Sequence, residues 1–395
     1  MSERVVICEA VRTPIGRFQG GLSSIKASKL GAVVVKAVLE RSGLDPNLVD
    51  EVIMGSVVQA GLGQNPARQA AIWGGVPSSV SAMTINKVCG SGLRSVMCAA
   101  QAIKAGDIRC AIAGGMENMS QIPYAMFDAR DGMRLGHRQV TDLMVHDGLW
   151  DVYNDFHMGM TAELVVEKYA VDRARQDAFA ADSHRKAAAA AAAGKFDREL
   201  VPVEVPQRKG DPLVVDADEG PRADTTAEGL GKLRPAFKRD GGSVTAGNAS
   251  TINDGAAAVL VCREDFALEN GLTIRAVIEA YGTGPVDPEW VMMAPVGAVR
   301  NVAEKAGVGL GDFEVIELNE AFAAQAVAVT AELGLDPDKV NVHGGAVALG
   351  HPIGASGTRC LVTLLHAMED RGAKLGLVAL CLGGGDAVAM VVRRP

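Results

Sequence analysis

The sequence predicts an α/β protein built from two related halves, with a long loop-rich segment inserted between them. Three observations predict this. The outer thirds alternate strand-like and helix-like segments. The last third repeats short motifs of the first, in the same order and at nearly the same separations. The middle third loses buried strands and gains charged, Met-containing and Pro-containing pieces.

In chain order, "RVVICEAVRTP" reads as a strand with Pro14 beyond it. "LGAVVVKAVLERSG" carries a helical apolar stripe and stops at Gly43. "VDEVIMGSV" reads as a second strand. "SGLRSVMCAAQAIKAG" is a long helix ending at Gly106, and "DIRCAIAGGMEN" is a buried strand that meets two glycines. In the middle, "RKAAAAAAAG" (185–194) is a strong helix former with a glycine stop, and "RKGDPLVVDADEGPRADTT" is loop. Later, "DFEVIELNE" echoes "DEVIMGS", "SGTR" (356–359) echoes "SGLR" (91–94), and "LVALCLGGG" echoes "CAIAGG". Chance similarity of short glycine motifs does not explain an ordered series, so a duplicated α/β half is expected. The expected domains are 1–119, completed by about 249–270, an insertion over 120–248, and a second half over 271–395. Equivalent points on duplicated halves face each other across a pseudo-twofold. Cys89 stands just before the first Ser-Gly and His351 just before the second, so their corners are expected to meet.

Bulk composition sets limits. A chain of 395 residues is too long for one ordinary core. With 4% aromatics and 46 glycines, the cores must rely on Ala, Val, Leu and Ile joined by tight turns. A net charge of −8 argues against nucleic acid or an anionic membrane as partner, while leaving room for a small polyanion on a local basic patch. Seven cysteines, an odd number without C-x-x-C, argue against a disulfide framework or a zinc site and for a reducing compartment. No apolar stretch is long enough to span a bilayer, and "VVIC" after the first four residues is too short for a signal-peptide core. The expected location is the cytoplasm.

Four side chains could carry chemistry. Cys89, in "NKVCGSGLRS", sits at a helix tip, where a nearby base is expected to lower a thiol pKa. The adjacent glycines would let a substrate reach backbone N–H groups able to hold an oxyanion. Burial as a small hydrophobe is the commoner fate of a cysteine, and Cys8, Cys98, Cys110 and Cys262 are assigned to it. His351 lies in "HGGAVALGHPIGASG", a loop too glycine-rich for ordinary core packing; a surface histidine is the alternative. Cys381 ends a strand before three glycines. Asn319 follows an apolar strand and precedes a helix, where an N-cap role suffices and orienting a water or oxyanion is the alternative. No Walker or dinucleotide loop and no metal-ligand spacing is present.

The motifs "NKVCGSGLRS", "NEAFAAQ", "GGAVALGHPIGASGTR" and "CLGGG" resemble the thiolase family in order and separation. So do "HMGMTAE", "KLRPAF" and "TAGNASTINDGAA" of the middle segment, and "GLWDVYNDFHMG" is similar to the family's biosynthetic, short-chain type. The resemblance implies the thiolase fold: two duplicated αβαβα-type halves related by a pseudo-twofold, with an inserted loop domain. It implies that acetyl-CoA acylates Cys89, activated by His351, and that Cys381 deprotonates a second acetyl-CoA. Condensation then yields acetoacetyl-CoA and CoA, and the reverse reaction cleaves 3-oxoacyl-CoA. One thioester oxygen would be held by His351 with a water on Asn319, the other by the N–H groups of Cys89 and Gly383. Coenzyme A enters as substrate and product, with no prosthetic group and no metal. Its contacts carry over to Leu149, His157, Met158, Arg222, Phe237, Ala246, Ser250, Ala321 and Phe322, with Arg222 as the phosphate partner. For Met158 and Phe237 core packing is the alternative, and for Arg222 a solvated surface charge. Acyl-CoA is the only implied partner, and a homotetramer, a dimer of dimers, is implied with part of residues 121–141 as its tetramer-forming loop.

This chain departs from the family pattern twice. Met292-Met293-Ala294-Pro295 stands where relatives carry Gly-x-Gly-Pro near the acyl pocket, and Asp386-Ala387 follows "CLGGG". The alternatives are a thiolase for longer or branched 3-oxoacyl chains, a decarboxylating condensing enzyme, a cysteine hydrolase, or an acyl-CoA carrier. The last three would leave Cys381 without a task.

Overall fold

A computed structural model describes residues 4–395; residues 1–3, where the reading of the chain start begins, lie outside the described residues. The main elements are β1 (Val5–Arg12), α1 (Ala27–Ser42), β2 (Glu51–Gly55), β3 (Ser81–Ile85), α2 (Ser91–Ala105), β4 (Cys110–Asn118), α3 (Met158–Tyr169) and α4 (Arg173–Ala192). They continue with β5 (Asn253–Arg263), β6 (Ala276–Thr283), α5 (Ala294–Ala306), β7 (Val315–Leu318), α6 (Ala323–Glu332), α7 (Ser356–Arg371), β8 (Leu375–Leu382) and β9 (Asp386–Arg393). Strands β4 and β8 are buried along their whole length, as expected of near-continuous apolar runs covered on both faces. Helices α1, α2, α5 and α7 each end at a left-handed glycine, with φ of 68° at Gly43, 84° at Gly106, 66° at Gly307 and 66° at Gly372.

The strands form one ten-stranded sheet in the order β3-β2-β4-β5-β1-β6-β9-β8-β7, with the two-residue strand Gly16–Arg17 paired to β5. The halves join where β1 meets β6 through Val6↔Val277 and Ile7↔Ala276. Outward from that seam, each half repeats one pattern of pairing. β1-β5-β4-β2 runs antiparallel, antiparallel, parallel. β6-β9-β8-β7 does the same. The duplicated sequence motifs are therefore matched by a duplicated hydrogen-bonding order.

Helices α2 and α7 share one apolar cluster with strands of both halves. α7 is buried on all sides over residues 356–368, which is how a helix behaves inside a layered core rather than on a surface. Two of its polar side chains are paired, Arg359 with Glu317 at 3.3 Å and Thr363 with Glu199 at 3.2 Å. The two Ser-Gly motifs touch each other. A Cβ on Gly92 would stand 2.7 Å from Thr358 Oγ1, and one on Gly357 only 2.4 Å from the Leu93 nitrogen. Any larger residue there would push the two helix starts apart, and both functional corners with them.

The middle segment is an excursion from the sheet. β4 ends at Asn118, which pairs with Asp254 at the start of β5, so the chain leaves and returns on one rung of the ladder. The alanine run forms the last turns of α4. All seven cysteines are free; Cys8, Cys110 and Cys262 are buried, Cys98 is half-buried, and the Cys110 and Cys262 sulfurs lie 3.4 Å apart across β4 and β5. Among the described residues, no helix is long and apolar enough to cross a membrane.

Candidate active site

Cys89 lies in a tight elbow that feeds α2. Val88, immediately before it, has φ +46°, a left-handed conformation that costs a β-branched residue on the order of 1–3 kcal/mol. Local hydrogen bonds hold it there. Val88 N–H donates to Asn86 Oδ1 at 2.9 Å, Lys87 N–H donates to Ser91 Oγ at 2.8 Å, and that hydroxyl donates to the Val88 carbonyl at 2.6 Å. The elbow turns the Cys89 sulfur toward the N–H groups of Gly383 and of Cys89 itself.

His351 follows Gly350, whose φ of +109° and crowding by Asn253 (2.4 Å from a hypothetical Cβ) admit no side chain. His351 N–H donates to Asn253 Oδ1 at 2.9 Å, which ties its loop to β5. Its Nδ1 lies 2.6 Å from Ser356 Oγ, and that hydroxyl donates to the Pro352 carbonyl at 2.9 Å. The one hydroxyl proton is thus committed, Nδ1 must be the donor, and Nε2 is left as the basic nitrogen. Glu117, buried on β4, accepts from the N–H groups of Val57 at 2.8 Å and Gly354 at 3.0 Å and so braces the same loop.

Cys381 lies at the end of β8, opposite Ala387. The hairpin beyond it turns through Gly384 (φ 88°) and Gly385 (φ 84°). Cys89, His351, Cys381 and Gly383 all line one cavity of about 700 Å³. Leu149, His157, Met158, Arg222, Phe237, Ala246, Ser250, Ala321 and Phe322 line it as well. The core-packing alternative for Met158 and Phe237 is therefore incomplete, since both present surface to the cavity. The His157 ring stacks on Phe237 at 4.8 Å, and Phe237 meets Phe322 edge-on at 6.0 Å, giving one wall an aromatic step. Exposed Arg17 and Arg222 add two guanidinium groups to the lining of an otherwise acidic protein.

Two expectations need correction. Asn319 is not a helix N-cap: α6 begins after Phe322, which has no side-chain cap bond. Asn319 is fully buried at the end of β7, outside the cavity lining, with Oδ1 facing the Cys360 thiol at 3.8 Å and Nδ2 without a protein partner. The second correction concerns charge. Burial pushes the Cys89 thiol up to about 12, with the N–H groups of Gly383 and Cys89 opposing and Glu117 adding to the rise. The helix tip is outweighed because Cys89 lines the cavity rather than facing bulk water.

Burial also lowers His351 to about 3, with Arg359 contributing. Cys381 is raised by burial and by the nearby Cys89 sulfur. The site therefore holds a neutral imidazole and two protonated thiols. Alkylation of Cys89 by iodoacetamide is accordingly expected to accelerate about tenfold per pH unit from about pH 7 to 10, following the thiolate fraction. A rate that levels off below about pH 8 would show a thiolate already formed.

Sequence reading missed Ser356, Glu117 and Asn253, which position His351, and Met119, His184, Val291 and Ile353 in the lining. Only Ser356 carried a signal, as the serine of the repeated Ser-Gly motif.

The thiolase N-terminal domain model matches residues 5–265 and the thiolase C-terminal domain model residues 272–394. An acetyl-CoA acetyltransferase of Pseudomonas aeruginosa is 57% identical over 390 residues, covering 99% of each chain. One of Allochromatium vinosum is 55% identical over 394 residues, covering 100% of both. A crystal structure of the Bacillus anthracis acetyl-CoA acetyltransferase superposes with a TM-score of 0.97 at 43% identity, covering 100% of this chain and 99% of that one. Matched over both halves and at full length, the chain belongs to the thiolase family.

Proposed function

We propose that the protein is an acetyl-CoA C-acetyltransferase that joins two acetyl-CoA into acetoacetyl-CoA and CoA through an acyl-cysteine. The observation that carries the reading is the convergence of a thiol, a basic imidazole nitrogen, a second thiol and a pair of N–H groups on one cavity. The names of the full-length relatives support acetyl-CoA as the substrate.

Proton balance assigns the roles. As the Cys89 sulfur bonds to the acetyl carbonyl carbon, its proton passes to His351 Nε2. The N–H groups of Cys89 and Gly383 hold the oxyanion of the tetrahedral intermediate, where losing one donor costs about 3 kcal/mol. The C–S bond to CoA breaks, and Cys381 gives its proton to the departing sulfur. The acyl-enzyme then holds an imidazolium and the Cys381 thiolate. That thiolate takes a methyl proton from the second acetyl-CoA. The enolate oxygen is stabilised by His351 Nε2–H and by a water on Asn319 Nδ2. The carbanion attacks the acyl carbon, the Cys89 sulfur leaves, and it recovers its proton from His351. No proton is gained or lost over the cycle.

Leu149, His157, Met158, Phe237, Ala246, Ser250, Ala321 and Phe322 fit the pantetheine arm, and Arg222 with Arg17 fits the phosphates. In this reading residues 120–248 form the segment for CoA binding and assembly, inserted between the halves at 1–119 and 271–395. The chain acts in the cytoplasm as a homotetramer. Leu135 at 97% exposure, Tyr124 at 65% and Phe127 at 63% give residues 121–141 the apolar surface a tetramer contact needs. Light scattering is expected to return four chains; a monomer would refute the assembly.

Met292 of the first departure from the family pattern and Val291 just before it line the cavity and bound the space left for the acyl chain. A short-chain preference is expected when thiolysis of acetoacetyl-CoA is compared with its longer homologues. Met292→Ala should raise the relative rate with a six-carbon 3-oxoacyl-CoA by roughly 10-fold or more, the usual worth of pocket volume. A wild-type preference for the longer chain would replace this reading with that of a longer-chain thiolase.

A further inference from the structure

The second departure from the family pattern finds a partner in the nucleophile elbow. Asp386 Oδ2 meets Lys87 Nζ at 2.5 Å, joining the residue two before Cys89 to the residue three after Gly383. The other carboxylate oxygen of Asp386 accepts the Ala387 N–H at 2.7 Å, so the carboxylate is held at both ends. On the other side, the Lys87 backbone is fixed by its N–H to Ser91 Oγ at 2.8 Å and by its carbonyl, which accepts from Gly90 N–H at 3.0 Å. The two loops lie close between these anchors. A Cβ on Gly383 would stand 3.2 Å from Val88 Cγ1, and one on Gly90 would stand 2.4 Å from Leu382 Cδ2. The hairpin is packed from behind too, since a Cβ on Gly385 would lie 2.4 Å from the Val286 carbonyl oxygen. Neither Lys87 nor Asp386 lines the cavity, so the pair does not touch substrate.

We propose that the Lys87–Asp386 ion pair is a positioning clamp that fixes the distance between the Cys89 and Gly383 N–H groups. It rests on the acyl-cysteine reading of the site. The two donors belong to different halves of the chain, and each sits on a loop whose backbone is left-handed next to it, at Val88 on one side and Gly384 on the other. An oxyanion is stabilised only if both donors lie at hydrogen-bonding distance from the same point, and an ångström of error there costs about 100-fold. The pair is partly exposed, with side-chain exposures of 28% and 21%. Its contribution is therefore open to screening by salt, unlike that of a fully buried pair.

The test measures single-turnover transfer of acetyl from acetyl-CoA to Cys89 by rapid quench and intact mass. The proteins compared are wild type, Lys87→Met, Asp386→Asn and the charge-exchanged double variant K87D/D386K. Each neutralised variant is expected to acylate about 10-fold more slowly at low salt, with KM for acetyl-CoA and melting temperature little changed. The exchanged pair is expected to recover most of that loss. Raising salt to about 1 M, where screening acts within about 3 Å, should slow wild type toward the neutralised variants and leave those variants unaffected. The salt profile of wild type needs no variant to fold. Wild-type acylation rates in both single variants, or no recovery in the exchanged pair, would overturn the clamp. If wild type itself acquired no acetyl group on Cys89, the acyl-cysteine reading would fall and the clamp with it.

Discussion

Cys89→Ser is expected to lower acetoacetyl-CoA formation and thiolysis by roughly 10⁴-fold or more, while the fold and CoA binding persist. The substitution changes one atom at a half-buried position on the edge of two apolar clusters. A serine hydroxyl is a far weaker nucleophile than a thiol, and the only base in place is an imidazole whose proton affinity is depressed by burial. Such a base can take a proton only as the C–S bond forms, when the falling pKa of the attacking sulfur meets it. Incubation with acetyl-CoA followed by peptide mass mapping should place one acetyl group on Cys89 in wild type and none in the variant. A label on any other residue would break the mechanism at its first step.

Cys381→Ala is expected to separate the two halves of the reaction. Turnover in both directions should fall by about 10²–10⁴-fold, the usual worth of a positioned general acid or base. The acetyl group should still accumulate on Cys89, because the CoA sulfur leaves readily without a proton donor while a methyl proton does not. The expected signature is an acetyl-enzyme that forms, persists and fails to condense. Loss of labelling together with turnover would instead make Cys381 a structural neighbour of Cys89, whose sulfur it adjoins.

The sequence exposes those parts of the molecule that local chemistry decides. Helices α1, α2, α5 and α7 are marked by their closing glycines, and β4 and β8 by unbroken apolar runs. The duplication is visible because both halves keep Ser-Gly where their helices must touch, at Gly92 and Gly357. What stays hidden depends on neighbours that arrive from elsewhere in the chain. Asn319 looks like a cap because it precedes a helix, yet its amide is set by Cys360 on α7, and the helix starts later. Cys89 looks like an acidic thiol because a helix follows, yet burial outweighs the helix end. The tautomer of His351 depends on one hydroxyl, Ser356, whose motif announces packing and not proton direction.

The rung that pairs Asn118 with Asp254 has a consequence for how such a protein can change. A segment whose two ends leave and re-enter the sheet side by side is a cassette. Lengthening it adds little closure entropy, and the ladder on either side does not register the change. The reacting groups Cys89, His351 and Cys381 all stand outside that cassette, while much of the wall facing the rest of the substrate stands inside it. The reacting groups and much of the wall beside them are thus encoded in separate stretches of the chain, joined at buried contacts such as Thr363–Glu199 and Ser183–Glu320.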